Sequence, residues 1–496
     1  MFLFSINKIH FLLIFLLLAI SCSKPISHST LQPNIIFVLT DDMAHGELGI
    51  NGNTIIKTPH IDKFSKDCLQ FTNYNVAPTC APSRAQIMTG RHEFYAGITH
   101  TICNRENLNE NIILLPQHLK NAGYQTAMFG KWHLASKNNV KLAPHNRGFD
   151  TAIYTYNQLK RFDPVLSHNG QIKKYKGYCV DVVFEQFTKW VDNTINDKSP
   201  YFAYIATSAP HTPLAAPQKY IDLYKNTSLT EKQQIYYGMI SNIDDNMGKL
   251  LHWLDNKKKC ARETIVIFMT DNGHAISGPA GAGHDKYGFL TQGGLYNDGQ
   301  RGGKTQSWRG SVRVPFLLRW PKIVTKGKKN KVLSSGIDIL PTLTDIAGIA
   351  VEDPDIQGVS LLHNILGKGN NVSEDRLLYS HVGRWKSSEF LNDYKYVYAS
   401  VFSKQYRLTW NKGQHPELYN YINDPGETTD ITEQHPLLVQ KMKNAYDQWW
   451  ENSKKYMIND LKQIKKGEFH VQKNIQGKPS VWRQQELNFR QERNNK

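Results

Sequence analysis

The residues with the strongest chemical character in this chain stand directly after apolar runs. Asp41-Asp42 follows a β-branched run at residues 34–40, and Asp271-Asn272-Gly273 follows a similar run at 264–270. On neighbouring strand ends these would bring together four hard oxygen donors, a set suited to calcium or magnesium. Either pair alone is equally well explained as a turn former or helix cap; it is the presence of both that favours a cation. Cys80-Ala81-Pro82-Ser83-Arg84 adds a thiol close to a proline and an arginine. Gly130-Lys131-Trp132-His133-Leu134, Pro210-His211-Thr212-Pro213 and Gly302-Gly303-Lys304 add two histidines and two lysines. A lone Lys-x-His means little, and His211 by itself reads as an ordinary loop histidine. Cys80 to Arg84 is the most specific segment in the chain, set against the bland view of Cys80 as a small buried thiol or half of a disulfide.

Together the clusters resemble one family. Cys80 to Arg84 resembles the Cys-x-Pro-x-Arg sequence that formylglycine-generating machinery oxidises in sulfatases. The run continues through Thr89-Gly90-Arg91 as in the sulfatase signature, where a helix begins just after the modified residue and its N-terminus favours an anion. Gly130 to Leu134 resembles the family's Gly-Lys-Trp-His-Leu element, His211-Thr212-Pro213 its His-x-Pro element, and Lys304 its last active-site lysine. Arg309 and Ser311, just beyond that lysine, depart from the family pattern and bear on local loop packing. The resemblance spans residues 34 to about 421, where Leu418-Tyr419-Asn420 and Asp424-Pro425-Gly426-Glu427 are similar to the family's closing elements.

The resemblance is to formylglycine-dependent sulfatases of the alkaline-phosphatase-like superfamily, in particular bacterial polysaccharide sulfatases. It implies that a maturing enzyme converts Cys80 to formylglycine. It also implies that Asp41, Asp42, Asp271, Asn272 and the oxidised Cys80 ligate calcium, in preference to magnesium. Arg84 would pair with the nucleophile and the metal ligands, and Lys131, Lys304 and His211 would clamp the sulfate. A hydrated formylglycine would attack sulfur to give a covalent enzyme sulfate. His211 or Lys304 would then protonate the leaving alcohol, and His133 would take a proton from the second hydroxyl as sulfate departs. A sulfate ester spreads one negative charge over three oxygens, so cations, a nucleophile and an acid are what its hydrolysis requires.

The expected substrate is a sulfated carbohydrate, a polysaccharide or its oligosaccharides. His100, Arg105, His145, Arg147, His168 and Arg301 are candidates for sugar subsites, although each singly reads as structural. Two other readings stand beside this one. A phosphodiesterase or phosphonate monoester hydrolase of the same superfamily would share the metal ligands, and a glycan-binding protein without catalysis would share the charge.

The elements that must hold these residues read as α/β. Apolar runs at 34–40, 125–129, 201–206, 264–270 and 314–320 alternate with helical patterns at 114–122, 231–256 and 339–347. Such alternation predicts a mostly parallel central sheet flanked by helices, with chemistry where strands end. From about residue 371 shorter aromatic runs at 395–402, 405–410 and 417–419 predict a smaller antiparallel subdomain, closed by a helix at 436–452. The expected division is a leader at 1–22, a catalytic domain at 31–370, the C-terminal subdomain at 371–455 and a basic tail at 456–496.

Residues 1–22 have the Lys8 start, apolar stretch and small-residue end of an export signal, too short to span a bilayer. Ala19-Ile20-Ser21-Cys22 resembles a lipoprotein processing site, which predicts a lipid anchor on Cys22 and a periplasmic or outer-membrane location. The chain has 60 Lys and Arg against 43 Asp and Glu, a net charge of +17 and a pI near 9.3, a balance that favours polyanions. No zinc-finger spacing or RRM signature is present, and the basic run at 257–259 ends an amphipathic helix, so nucleic acid is not the expected partner. Cys68, Cys103, Cys179 and Cys260 are too few for a disulfide scaffold and leave one or two bridges open.

Overall fold

The computed structural model describes residues 32–156, 160–195, 199–256, 264–275, 295–385, 391–413 and 415–457. The leader with Cys22, the lysine run at 257–259, Cys260 and the tail from 458 lie outside them. In chain order the first strands are β1 (Asn34–Asp41), β2 (Leu69–Phe71), β3 (Tyr74–Asn75), β4 (Gln125–Lys131), β5 (Thr151–Thr155), β6 (Val165–His168) and β7 (Gln171–Lys174). They are followed by β8 (Tyr201–Pro210), β9 (Thr264–Thr270), β10 (Phe316–Arg319), β11 (Lys329–Asn330) and β12 (Ser334–Ser335). The main sheet has the order β11-β2-β10-β9-β1-β8-β4-β5-β6-β7, and β3 pairs with β12 beside it.

Five central strands, β9-β1-β8-β4-β5, run parallel. The run at 314–320 forms β10, which lies antiparallel on β9. The β6-β7 hairpin closes the other edge. Its second strand, Gln171–Lys174, is exposed throughout and has no apolar alternation to betray it.

A strand buried on both faces is apolar at every position, which is why 34–40 reads as a continuous run. Ile35, Phe37 and Leu39 of β1 enter one core, and Ile36 and Val38 enter the other. The first core is covered by helices Cys80–Thr89, Leu115–Asn121 and Ile339–Ile346. The second is covered by Cys179–Thr194 and Glu231–Asn256. The last of these begins at a capping box: the Thr230 N–H donates to Gln233 Oε1 at 2.9 Å, and the Gln233 N–H to Thr230 Oγ1 at 3.4 Å.

Strands β13 (Leu378–His381), β14 (Val397–Phe402), β15 (Tyr406–Lys412) and β16 (Glu417–Asn420) form a separate antiparallel sheet in sequential order. Helix Pro436–Lys454 packs Met442, Tyr446, Trp449 and Trp450 against it, around Trp385, Trp410 and Phe94. Of the expected tail, Tyr456 and Met457 are described and held. The Tyr456 hydroxyl donates to Asp355 Oδ1 at 2.6 Å, and Met457 joins the aromatic core. Cys68, Cys80 and Cys179 carry free thiols.

Candidate active site

Four neighbouring parallel strands end at the same edge, and each delivers site residues there. β1 ends on Asp41 with Asp42 next, β9 leads into Asp271-Asn272, β4 ends on Lys131, and β8 leads into His211. Thr40 pairs with Thr270 and Asp41 with Pro210, so the ends are level. Two glycines make this convergence sterically open. A Cβ on Gly130 would lie 2.0 Å from the Ala206 carbonyl oxygen, and one on Gly273 would lie 1.9 Å from that of Gly310. Asp42 and His133 both take left-handed backbone, φ 66° and 60°. Such conformations occur where surrounding structure fixes them, often at functional sites.

Opposite charges are interleaved at the strand ends. Arg84 donates Nε and Nη2 to Asp271 Oδ2 at 3.0 and 2.8 Å, and Nη1 to the Lys131 carbonyl at 2.8 Å. Lys131 Nζ donates to Asp41 Oδ2 at 2.7 Å. Lys304 Nζ lies 2.7 and 2.9 Å from the two carboxylate oxygens of Asp42. Asn272 Nδ2 donates to Asp42 Oδ1 at 2.7 Å, and His211 Nε2 stands 3.5 Å from Asp42 Oδ2. Burial alone would raise the carboxyls of Asp41 and Asp42. Positive charge outweighs it, Lys131 first for Asp41, and for Asp42 a protonated His211 and then Lys304, the standing cation once His211 is neutral; both carboxyls are held below their usual range. Burial draws the His211 imidazole down to about 4 against the pull of Asp42.

The atoms themselves fit a hard cation. Asp41 Oδ1 and Asn272 Oδ1 are buried acceptors with no hydrogen-bond partner, an unfavourable state that a metal ion relieves. One ligand atom each from Asp41, Asp42 and His211 lies within 4.8 Å of the others, as do those from Asp41, Cys80 and Asp271. Carboxylate and amide oxygens suit calcium or magnesium.

Cys80 opens the wholly buried helix Cys80–Thr89. Pro82 stands in its first turn, where an N–H has no partner within the helix, so its missing donor is not felt. Ser83 Oγ donates to the carbonyls of Ala77 and Thr79 at 2.9 and 3.1 Å and fixes the entry to the turn. Gly90 ends the helix with φ 66°. His133 is buried, with Nε2 2.9 Å from the Thr101 carbonyl and Nδ1 without a partner. Burial, reinforced by Lys131, holds it well below the usual imidazole range and hence neutral.

Several supporting residues were not among those expected from the sequence. Arg161 donates Nε to the Pro213 carbonyl at 3.0 Å, Nη1 to Ser208 Oγ at 2.8 Å and Nη2 to the His211 carbonyl at 2.5 Å, strapping the loop that carries His211. Glu47 accepts from Tyr236 at 2.6 Å and from the Ala44 N–H at 2.7 Å, and stands 2.8 Å from His274 Nδ1. Tyr236 lies 2.7 Å from the Asp42 carbonyl as well. His274 was open to notice, since it directly follows Asp271-Asn272-Gly273. Nothing in the sequence around Glu47 or Arg161 points to the site.

Arg309, which departs from the family pattern, binds the closing segment. Its N–H donates to Glu427 Oε2 at 2.9 Å and its Nη1 to the Tyr421 carbonyl at 3.1 Å. Of the residues considered for sugar subsites, three arginines spend donors on backbone: Arg105 on Trp385, Arg147 on Ile112 and Arg301 on Glu427. His145 packs against Tyr154, and His168 lies beside Lys173 at the sheet edge. His100 is buried and accepts the Thr101 N–H at 2.8 Å.

The family profile described as Sulfatase matches residues 33–349, and one described as N-sulphoglucosamine sulphohydrolase, C-terminal, matches residues 303–455. An ulvan-active sulfatase of Formosa agariphila is 27% identical over 81% of this chain and 77% of its own length. N-acetylgalactosamine-6-sulfatase of Mus musculus is 28% identical over 82% and 79%. Among solved structures, Ps i-CgsB in complex with k-i-k-neocarrahexaose superposes with a TM-score of 0.77 at 26% identity, covering 87% of this chain and 95% of that one. The mostly parallel sheet with its antiparallel C-terminal partner is thus the alkaline-phosphatase-like fold of these enzymes.

Proposed function

This chain belongs to the sulfatase family and is a sulfuric ester hydrolase, and from that premise we propose that it desulfates a sulfated glycan through a formylglycine at position 80 and a bound calcium ion. The position of Cys80 carries the reading: its sulfur lies within 4.8 Å of carboxylate oxygens of Asp41 and Asp271. A thiolate there would be repelled by two carboxylates and would be a soft donor in an oxygen site. A hydrated aldehyde is neutral and offers oxygen, and so suits the same place.

Asp41, Asp42, Asp271 and Asn272 would hold the calcium, which polarises bound oxygen when present. The formylglycine hydrate supplies the nucleophilic hydroxyl. Arg84 orients Asp271 through its paired donors and opposes the rise that burial and Asp41 impose on that carboxyl. Lys131 and Lys304 carry the positive charge that meets the sulfate oxygens, and Lys304 or His211 delivers the proton to the departing sugar hydroxyl. His133, with Nε2–H given to the Thr101 carbonyl, keeps a lone pair on Nδ1, the form a general base needs.

The glycan assignment rests on the names of the relatives, an ulvan-active and an N-acetylgalactosamine-6-sulfatase, on the neocarrahexaose of the solved neighbour, and on the +17 charge. We read residues 1–22 as an export leader and Cys22 as a lipid anchor, with a maturing enzyme acting on Cys80.

Mass spectrometry of the active enzyme should find formylglycine at position 80. Cys80→Ala should abolish sulfate release from sulfated oligosaccharides while leaving the melting temperature within a few degrees. An unmodified thiol in fully active protein, or faster turnover of a phosphate diester than of a sulfate ester, would overturn the proposal.

A further inference from the structure

Arg384 is a partly buried guanidinium with no carboxylate within ion-pair reach among the described residues, and the fold takes trouble to place it. It follows β13 in a loop where Gly383 and Arg384 both have φ 69°. Gly383 is sterically required, because a Cβ there would lie 2.4 Å from the Thr99 carbonyl oxygen. The Arg384 N–H donates to that same oxygen at 3.1 Å. Left-handed backbone is unfavourable at an arginine and persists where the surroundings fix it. From the other side Arg105 holds the loop, donating to the Trp385 carbonyl at 2.6 Å with its guanidinium 5.0 Å from the Trp385 ring centre.

The loop directs Arg384 toward the reacting groups. Its Nη2 lies 3.4 Å from Thr101 Oγ1, and the Thr101 carbonyl is the partner of His133. Its Nε is buried with no hydrogen-bond partner. Burial lowers its pKa, and the Asp42 carboxylate opposes. Beside it is a cavity of about 460 Å³, lined by Thr305, Gln306, Trp308, Arg384, Tyr394 and Tyr398. Thr305 directly follows Lys304, so one wall runs from the lysine on Asp42 to this arginine. The volume falls within the range of small-ligand sites, and aromatic walls with one fixed cation suit an anionic sugar.

A partly buried cation with no ion-pair partner is incompletely solvated in the free protein and gains when an anion arrives. We propose that Arg384 binds a second anionic group, a carboxylate or a further sulfate ester, on the glycan whose scissile sulfate lies at Lys131 and Lys304. This rests on the glycan-sulfatase reading above. The forked donors of arginine match either anion, so the two share one chemistry.

Three matched oligosaccharides test it: one with the scissile sulfate alone, one with an added carboxylate and one with an added sulfate. Wild-type kcat/KM should favour at least one doubly anionic substrate over the singly sulfated one by about tenfold or more, and which one identifies the anion. In Arg384→Gln that ratio should fall to about unity, because the second anion loses its charged partner. Arg384→Lys should recover part of it. Melting of Arg384→Gln should be no lower than wild type, because an unpaired charge is removed. Equal wild-type turnover of all three, or an unchanged ratio in the folded variant, overturns the inference alone. No sulfate release from any of them sinks the glycan reading and this inference with it. Should Arg384→Gln fail to fold, the wild-type comparison still decides.

Discussion

Asp41 serves several partners with one carboxylate: Oδ2 accepts Lys131 at 2.7 Å, Arg84 stands 3.9 Å from Oδ1, and Oδ1 is otherwise left for a cation. Its side chain and that of Lys131 are fully buried. Removing one charge of such a pair leaves the other uncompensated, at about 3 kcal/mol. Asp41→Asn should therefore lower the melting temperature of the metal-free enzyme by several degrees and reduce sulfate release to background. Added calcium should raise the melting temperature of the wild type and not of the variant, since a ligand stabilises only the form that binds it. Equal stabilisation of both proteins would show that Asp41 is not a ligand.

At the scale of elements, the site depends on strand ends being level and on loops being tied to them. β8 delivers His211 into a loop that Arg161 fastens at Ser208, His211 and Pro213. Three acceptors in different directions need the planar fork of a guanidinium, which a lysine cannot supply. Arg161→Ala should lower kcat by about 10- to 100-fold, the scale expected when a reacting group is misplaced by about an ångström. Arg161→Lys should recover little of it. The check is steady-state kinetics together with thermal melts, and an unchanged kcat in either variant would remove Arg161 from the account.

At the scale of the whole molecule, the catalytic helix is connected to the C-terminal aromatic core through its own continuation. Gln86 in that helix donates to Glu93 Oε2 at 2.8 Å, His92 stacks edge-on against Trp449, and Phe94 enters the core beside Trp385 and Trp450. Burial pushes the Glu93 carboxyl up from 4.5 to about 8. The folded state thus holds more protons than the unfolded one between these values, and stability falls as pH rises. This contribution is complete below about pH 4.5 and is lost as pH rises through about 8. Glu93→Gln, which cannot ionise, should gain on the wild type by a few kcal/mol between pH 5 and pH 9. Parallel melting curves across that range would contradict the assignment.

The sequence by itself determined the strands, the residues at their ends and the thiol at position 80 on which the proposed nucleophile rests. A strand buried on both faces must be apolar throughout, and a motif such as Cys80 to Arg84 is local in the chain. Asp41, Asp42, Asp271, Asn272, Lys131 and His211 were legible for that reason, as was the helix at 231–256. The tertiary structure alone decided what joins residues far apart in sequence. Arg84 reaches Asp271, Glu47 meets Tyr236 and His274, Arg161 holds the His211 loop, and Arg384 arrives beside Thr101 from the C-terminal sheet. Such pairs have no period and no spacing, because only the packing of helices, loops and sheets brings them within hydrogen-bond distance. The β7 edge strand escaped for the opposite reason: it is exposed on every residue and bears no pattern for burial to write.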